Sequence, residues 1–160
     1  HPHRRIHDPS LTGMARQHGR SSRGAGPLAN ADDRSDARER ALILLYEAES
    51  KGIPPVDVLA AQISPADEMT TLLVTGVQTN QEQLDAAIAA HSKGWTLQRM
   101  PTIDRNVLRI AAFELLARAD VPVAVVLDEA IELVKRFSTD DSGRFVNGVL
   151  SALVPVLRAG

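Results

Sequence analysis

The sequence predicts an all-α protein: a single compact helical domain of about seven helices behind a disordered N-terminal arm. Three observations support this fold class. Apolar residues recur at three- and four-residue spacing in successive segments from residue 35 onward. Gly and Pro residues separate these segments, as is typical of helix ends. No segment alternates apolar and polar residues with the period of two that a half-buried strand requires.

The predicted helices follow one another closely along the chain. The first begins with Ser35 as its expected N-cap and ends at Gly52, which two prolines follow. Gly148, inside the last helix, is expected to let a neighbouring helix approach closely. The helices after the first are predicted over 56–63, 64–77, 81–94, 101–120, 121–137 and 143–157.

Composition limits the kind of core and the class of protein. Hydrophobic residues make up 44% of the 160 residues but aromatic residues only 3%, so the core must consist mainly of Leu, Val, Ile and Ala. The absence of Cys excludes disulfides, thiolate zinc sites and a cysteine nucleophile. No apolar run approaches the roughly 20 residues of a membrane-spanning helix. We therefore expect a soluble, cytoplasmic protein.

Charge is distributed unevenly along the chain. Residues 1–34 contain six Arg and three Asp and show no helical or strand period, so we predict a disordered basic tail. Residues 35–160 contain twelve Lys or Arg and seventeen acidic residues, and form the predicted helical domain. A basic arm on an acidic body suits an anionic partner.

The sequence carries no phosphate-binding loop, nucleophile elbow, zinc-protease motif or dinucleotide fingerprint. The groups that could be mistaken for catalytic ones have structural explanations. We expect His91 to cap a helix C-terminus, and Asp140 and Asp141 to cap the N-terminus of the last helix. Glu114 is expected to pair with Arg118, four residues later, or to bond a neighbouring backbone. The sequence therefore predicts no catalytic residue, no cofactor and no metal site.

Phe145 has two interpretations, because it lies in the first turn of the last predicted helix beside Arg144. The ring could be a core anchor. It could equally be a surface on which an RNA base stacks, with Arg144 on a phosphate. The residues alone leave both interpretations open.

Four stretches together resemble the NusB family, and the resemblance covers about Arg34 to Arg158. The most specific combination is "DDS" followed by "FVNGVL", because any single helix would match many proteins. The stretches are "ARERALILLYEAE", "GWTLQRMPTIDRNVLRIAAFELL", "VPVAVVLDEAIELVKRFSTDDS" and "FVNGVL". The resemblance implies a small all-helical RNA-binding factor without catalytic activity.

NusB-like proteins bind the boxA sequence of nascent RNA, mainly in ribosomal RNA operon leaders. They act together with NusE, a small-subunit ribosomal protein, in an antitermination complex on RNA polymerase. Some self-associate as homodimers. The resemblance thus implies transcription antitermination with these partners. Two alternatives stay open: the NusB-like N-terminal domain that RNA cytosine methyltransferases can carry, and a protein-only helical adaptor.

The resemblance also implies which residues make the contacts. Asp104, with Arg105 beside it, matches the acidic position associated with NusE. The residues that match the RNA-binding surface are Arg34, Arg38, Arg40, Tyr46, Asp141, Arg144 and Phe145.

Overall fold

The computed structural model describes residues 31–158, which form six α-helices, one 3₁₀ turn and no strand. The all-α prediction is confirmed. The helices are α1 (Ala31–Lys51), α2 (Pro55–Ala60), α3 (Glu68–Ala90), α4 (Thr102–Ala117), α5 (Val123–Phe137) and α6 (Ser142–Leu157), with the 3₁₀ turn at Leu97–Arg99 before α4.

The helix count is six rather than about seven because two predicted helices, 64–77 and 81–94, form the single helix α3. The polar residues between them do not interrupt the helix. Asn80 donates its side-chain amide to the carbonyl of Gly76 at 2.7 Å, four residues back on the same helix. This bond gives the amide of Asn80 a partner within the helix, so the polar side chain is not left unsatisfied.

The first helix begins earlier than predicted. The predicted tail covered residues 1–34, of which 1–30 lie outside the described residues, whereas 31–34 form the first turn of α1. The prediction of Ser35 as N-cap is therefore wrong. Its hydroxyl instead donates to Glu129 Oε1 of α5 at 2.6 Å, which ties the start of α1 to another helix.

Helix α4 is the central element of the fold. It packs against α1, α3, α5 and α6, and 12 of its 16 residues are buried. A helix buried on every side is normally apolar all round. Among the described residues, no helix is both long enough and apolar enough to cross a membrane.

The buried residues of α4 include Asp104, Arg109 and Glu114. Burying a charge is costly unless it is paired and hydrogen-bonded. Arg109 meets Asp85 of α3 through two bonds, Nε to Oδ1 at 2.7 Å and Nη2 to Oδ2 at 2.9 Å. Partners for the other two come from α1 and from the start of α6, as described below. The charges of α4 therefore specify which neighbour lies on each side.

Two helical glycines have opposite surroundings. A Cβ at Gly76 would lie 2.2 Å from the ring of Phe113, so the absence of a side chain there lets α3 approach α4. A Cβ at Gly148 would meet nothing within 4 Å. The expectation that Gly148 serves a close helix approach is wrong, and Gly76 has that function instead.

We expect Gly76→Ala to lower the stability of the protein and Gly148→Ala to raise it. Overpacking a buried ring costs about 1–3 kcal/mol, and a 2.2 Å clash belongs at the upper end of that range. At Gly148 only the helix propensity of Ala acts, a gain of about 1 kcal/mol. Urea unfolding of the two variants measures both effects. Equal stability of the two would contradict the packing described for Gly76.

Candidate nucleic-acid interface

A buried hydrogen-bonded cluster fixes the loop between α5 and α6 to the start of α4. The two oxygens of the Asp104 carboxylate accept hydrogen bonds from Ser138 Oγ at 2.5 Å and from Ser142 Oγ at 2.9 Å. Ser142 Oγ in turn accepts from the backbone N–H of Thr139 at 3.2 Å. Because Ser142 is the first residue of α6, the cluster positions the first turn of that helix.

The Asp104 side chain is almost completely buried, with only 2% of the residue exposed. Burial raises the pKa of its carboxyl above the usual range, although the hydrogen bonds from Ser138 and Ser142 act in the opposite direction. The residue expected to contact NusE is thus inaccessible to a partner in this structure. The prediction of a direct contact by Asp104 is corrected: its acidic group binds two serines of its own chain.

The residues that lie above this cluster are more accessible. Asp141 and Arg144 are exposed, and Phe145 is half-buried, with part of its ring packed against the core. Asp141 is the N-cap residue of α6, as predicted by position, but the expected hydrogen bond from its side chain to the free backbone N–H groups is not formed. The first turn of α6 thus presents an acid, a cation and part of an aromatic ring to solvent.

Two cavities adjoin Phe145. One, of about 240 Å³, also borders Arg144 and Gly148. The other, of about 310 Å³, borders Asp141 and the Asp104 cluster. Cavities lined by an aromatic ring and a few polar groups are typical of ligand sites. Phe145 therefore combines the two interpretations of the sequence, since one part of the ring is an anchor and another part is accessible.

The α1 arginine that was predicted to bind RNA, Arg38, is buried. Only 2% of it is exposed. Its guanidinium binds Glu114 of α4 through Nε and Nη2, both at 2.8 Å, and reaches Glu129 of α5 at 3.2 Å. A two-bond ion pair of this kind leaves no surface for a phosphate. Arg38 is therefore a structural residue, and Glu114 pairs with it rather than with Arg118.

Arg34 and Arg40 keep partial exposure on α1. Arg40 donates to the carbonyl of Ser64 at 3.0 Å, in the segment between α2 and α3. The two arginines lie toward the end of α1 where Arg38 meets Glu114, ten residues beyond Asp104 along α4. At the helical rise per residue, that separation is roughly 15 Å. Neither arginine lines the cavities that adjoin Phe145 in the first turn of α6.

Tyr46, the aromatic residue of α1, belongs to the core and is only 4% exposed. Burial raises the pKa of its phenol, and the carboxylate of Glu49 acts in the same direction, whereas a hydrogen bond with Ser50 opposes them. The prediction of Tyr46 as an RNA-binding residue is corrected, because a buried ring offers no face to a base.

Arg105, the second residue expected at the NusE contact, is half-buried and bound to several groups. It pairs with Glu49 of α1 and donates to the backbone carbonyls of Leu97 at 2.6 Å and Met100 at 3.0 Å. Burial alone would raise the pKa of Glu49, but Arg105, with Asn106 and Arg109, outweighs it and lowers that pKa. Glu49, Arg105 and Arg109 line a cavity of about 880 Å³ between α1, α3 and α4.

The sequence interpretation missed Lys93 and Trp95, which lie between α3 and the 3₁₀ turn. Both residues are exposed, and both line the smaller cavity beside Phe145. The segment was interpreted only as a helix end, with His91 as the cap. That part is confirmed: His91 is the C-cap residue of α3, and its Nδ1 lies 2.9 Å from the carbonyl of Ala87. One feature of the sequence could have indicated these residues: Trp95 is the only Trp of the chain, and it directly follows Lys93 and Gly94.

Within residues 31–158, no three His, Asp or Glu side chains come together as a group that could hold a metal ion. The smaller cavity beside Phe145 is lined by two aromatic rings, which can stack on planar groups, and by the cations Lys93 and Arg144, which attract anions.

Comparison with known proteins gives consistent matches. Residues 35–155 match the model of the NusB family. A protein of Saccharopolyspora erythraea named Transcription antitermination protein NusB is 48% identical over 129 residues, which cover 77% of this chain and 87% of that protein. The name is that of a transcription factor rather than an enzyme, in agreement with the prediction of no catalysis.

Solved structures match over a similar range. T. maritima NusB aligns with a TM-score of 0.71 and 31% identity, covering 79% of this chain and 93% of that chain. A structure described as antitermination factors NusB and NusE in complex with dsRNA aligns with a TM-score of 0.67 and 28% identity, covering 77% and 96% of the two chains.

We expect Arg38→Ala to destabilise the protein by about 3–5 kcal/mol, because it leaves the buried carboxylate of Glu114 without its partner. Arg40→Ala is the matched control on the same helix, and should cost less than about 1 kcal/mol, because it removes one exposed hydrogen bond. Replacing both partners, with Arg38→Met and Glu114→Leu, should restore much of the loss. Chemical denaturation measures all three. A small loss in Arg38→Ala would show that Arg38 does not hold α1 to α4.

The raised pKa of Asp104 predicts a pH-dependent difference between the protein and its Asp104→Asn variant. A carboxyl that is harder to ionise when folded favours the folded state below its ordinary pKa of 3.8, and this contribution is lost as pH rises through the folded-state pKa. The stability of Asp104→Asn relative to the unaltered protein should therefore increase from pH 3.5 to pH 7. Urea unfolding at several pH values measures it. A relative stability that falls over this range would contradict the assigned direction.

Proposed function

The chain belongs to the NusB family, and on that premise we propose that it is a transcription antitermination factor that binds boxA RNA. In this proposal it acts with NusE on the transcripts of ribosomal RNA operons, within an antitermination complex on RNA polymerase. Such a complex forms on nascent RNA, so the proposed location is the cytoplasm.

The observation that carries the RNA-binding part is the arrangement of Phe145 and Arg144 at the start of α6. The half-buried ring borders two cavities, and an exposed guanidinium precedes it. Single-stranded RNA is recognised by stacking of unpaired bases on aromatic rings, together with cations on phosphates. The buried cluster of Asp104 below holds this turn in place, so the ring does not have to be ordered when RNA binds.

The carboxylate of Asp141 needs a separate explanation, because it repels phosphate when it lies beside RNA. It makes no capping bond and is exposed. A free carboxylate is a hydrogen-bond acceptor, and the exocyclic amino groups of cytosine and adenine are donors. We propose that Asp141 reads such a base at the edge of the larger cavity, whereas Arg144 binds the backbone.

Arg34 and Arg40 are proposed as secondary contacts with phosphates. Because neither arginine lines the cavities beside Phe145, they would meet a different part of the same RNA. Arg38 and Tyr46 are left out of the proposed surface, since both are buried.

The NusE contact is proposed without direct participation of Asp104. Its carboxylate instead holds the loop from Ser138 to Ser142, from which Thr139 and Asp141 are exposed. Arg105 keeps a partly exposed side chain and stays the candidate for a direct contact.

Phe145→Ala should weaken boxA binding by about 1–3 kcal/mol, roughly 5- to 150-fold, if a base stacks on the ring. Because part of the ring also packs against the core, Phe145→Leu is the better variant: it keeps an apolar side chain and removes the aromatic face. We expect Phe145→Leu to lose affinity with little loss of stability. Fluorescence anisotropy with labelled boxA RNA and thermal melts measure the two quantities. Ile63→Ala, at a fully exposed apolar residue away from these cavities, is the control.

The same titration tests the proposed function as a whole when a scrambled RNA and purified NusE are included. We expect tighter binding of boxA RNA than of the scrambled RNA, and a further gain with NusE. Equal binding of the two RNAs would contradict the boxA assignment. Binding of NusE with no binding of either RNA would instead identify a protein-only adaptor. Light scattering on the same samples distinguishes a monomer from a homodimer.

A further inference from the structure

Trp95 is the only tryptophan of the chain, and 52% of it is exposed. The other aromatic residues, three Phe and one Tyr, lie in the core or pack against it. A large exposed apolar side chain indicates a binding surface when the surrounding structure fixes it in that position. The backbone around Trp95 is fixed in this way.

The turn before Trp95 contains two consecutive residues with left-handed backbone, Lys93 with φ of 53° and Gly94 with φ of 89°. This conformation is ordinary for Gly but unfavourable for Lys. Strained residues persist only where the surroundings hold them, and they cluster at binding sites. Here the holding group is Ser92, which is 1% exposed. Its hydroxyl lies within hydrogen-bond distance of the carbonyls of Ala89 and of Trp95 itself.

The turn does not serve to bury the ring, because the ring remains half in solvent. What it does is to place Trp95 next to Phe145. Both residues line the cavity of about 240 Å³ and both line the cavity of about 310 Å³, so each cavity is bordered by two aromatic side chains. The two rings come from different elements, one from the turn after α3 and the other from α6.

The smaller cavity has the charge and the space that an anionic ligand with a planar group requires. Lys93 and Arg144, both exposed, contribute one cation from each side. Gly148 borders the same cavity, and a Cβ there would enter open space. The missing side chain at Gly148, which no neighbouring helix requires, therefore leaves the cavity open.

We propose that Trp95 and Phe145 form a two-ring platform for consecutive unstacked bases of bound RNA, with Lys93 and Arg144 on the flanking phosphates and Gly148 leaving room for a base. This inference rests on the proposed RNA-binding function and adds Lys93, Trp95 and Gly148 to its surface. Stacking is tolerant of base identity, so the platform contributes affinity, whereas polar groups such as Asp141 contribute sequence preference.

Because Trp95 is the only tryptophan, the intrinsic fluorescence of the unaltered protein reports directly on this residue. Titration with a single-stranded boxA oligonucleotide should quench the fluorescence of Trp95 with the same saturation curve that anisotropy of the labelled RNA shows. Trp95→Ala should lose about 5- to 150-fold in RNA affinity, as expected for one stacked base. Trp95→Phe keeps an aromatic face and should retain most of the affinity. Thermal melts should show all these variants folded, because the ring is not part of the core.

Two further variants separate the parts of the platform. Gly148→Gln places a side chain in the smaller cavity while leaving Trp95 and Phe145 unchanged, and should lower RNA affinity while keeping or raising the melting temperature. Lys93→Gln should reduce the slope of log K against log salt concentration by about 0.7, the value for one phosphate contact on a single strand. Trp95→Ala should leave that slope unchanged, since stacking releases no counterions.

Unchanged affinity in Trp95→Ala, or RNA binding without any change in Trp95 fluorescence, would overturn the platform while the proposed function survives. If the unaltered protein binds no RNA with or without NusE, the proposed function fails, and the platform with it. Quenching of Trp95 by NusE alone, with no further change on adding RNA, would identify the surface as a protein contact and would likewise overturn the platform.

Discussion

The rest of the structure depends on the pairing of three ionisable side chains that α4 buries. Asp104, Arg109 and Glu114 lie along one helix that is enclosed by four others. Each charge has to find partners on another element, because an unpaired buried charge costs several kcal/mol. Arg109 pairs with Asp85 of α3, and Glu114 pairs with Arg38 of α1. Asp104 accepts a hydrogen bond from Ser142 at the start of α6. Apolar packing alone would permit several arrangements of these helices, whereas the three pairings together favour one.

The same constraint prepares the proposed RNA-binding surface. The hydroxyl of Ser142 binds the carboxylate of Asp104 and fixes the first turn of α6, on which Arg144 and Phe145 lie. On the other side of the cavities, the hydroxyl of Ser92 fixes the turn that carries Trp95. The exposed rings thus rest on buried polar groups, and the ordering cost is met during folding rather than during binding. The acidic and basic residues that resemble the family's motifs divide accordingly: the buried ones hold the fold, and the exposed ones belong to the proposed RNA-binding surface.

The fold class could be predicted from periodicity because helical spacing is a local property, and Gly52 marked the end of the first helix correctly. The positions of individual polar residues could not be predicted in the same way. Arg38 resembles a phosphate-binding arginine in the sequence, but its burial depends on Glu114, 76 residues away. Asp104 and Tyr46 were misplaced for the same reason. Trp95 was missed because Lys93 and Gly94 indicate only a chain turn, and the neighbouring Phe145 comes from a helix fifty residues later.

The most direct measurement is an NMR titration of ¹⁵N-labelled protein with boxA RNA, because it reports every backbone amide and the indole N–H of Trp95 at once. If buried charges hold the fold and exposed rings bind RNA, the largest shift changes should fall on the Lys93–Trp95 turn, on the Trp95 indole and on the first turns of α6 from Asp141 to Gly148. The amides around the buried Arg38 and Tyr46 should change little. Large changes around Arg38 and Tyr46, with the turn and α6 unaffected, would contradict this division between structural and binding residues.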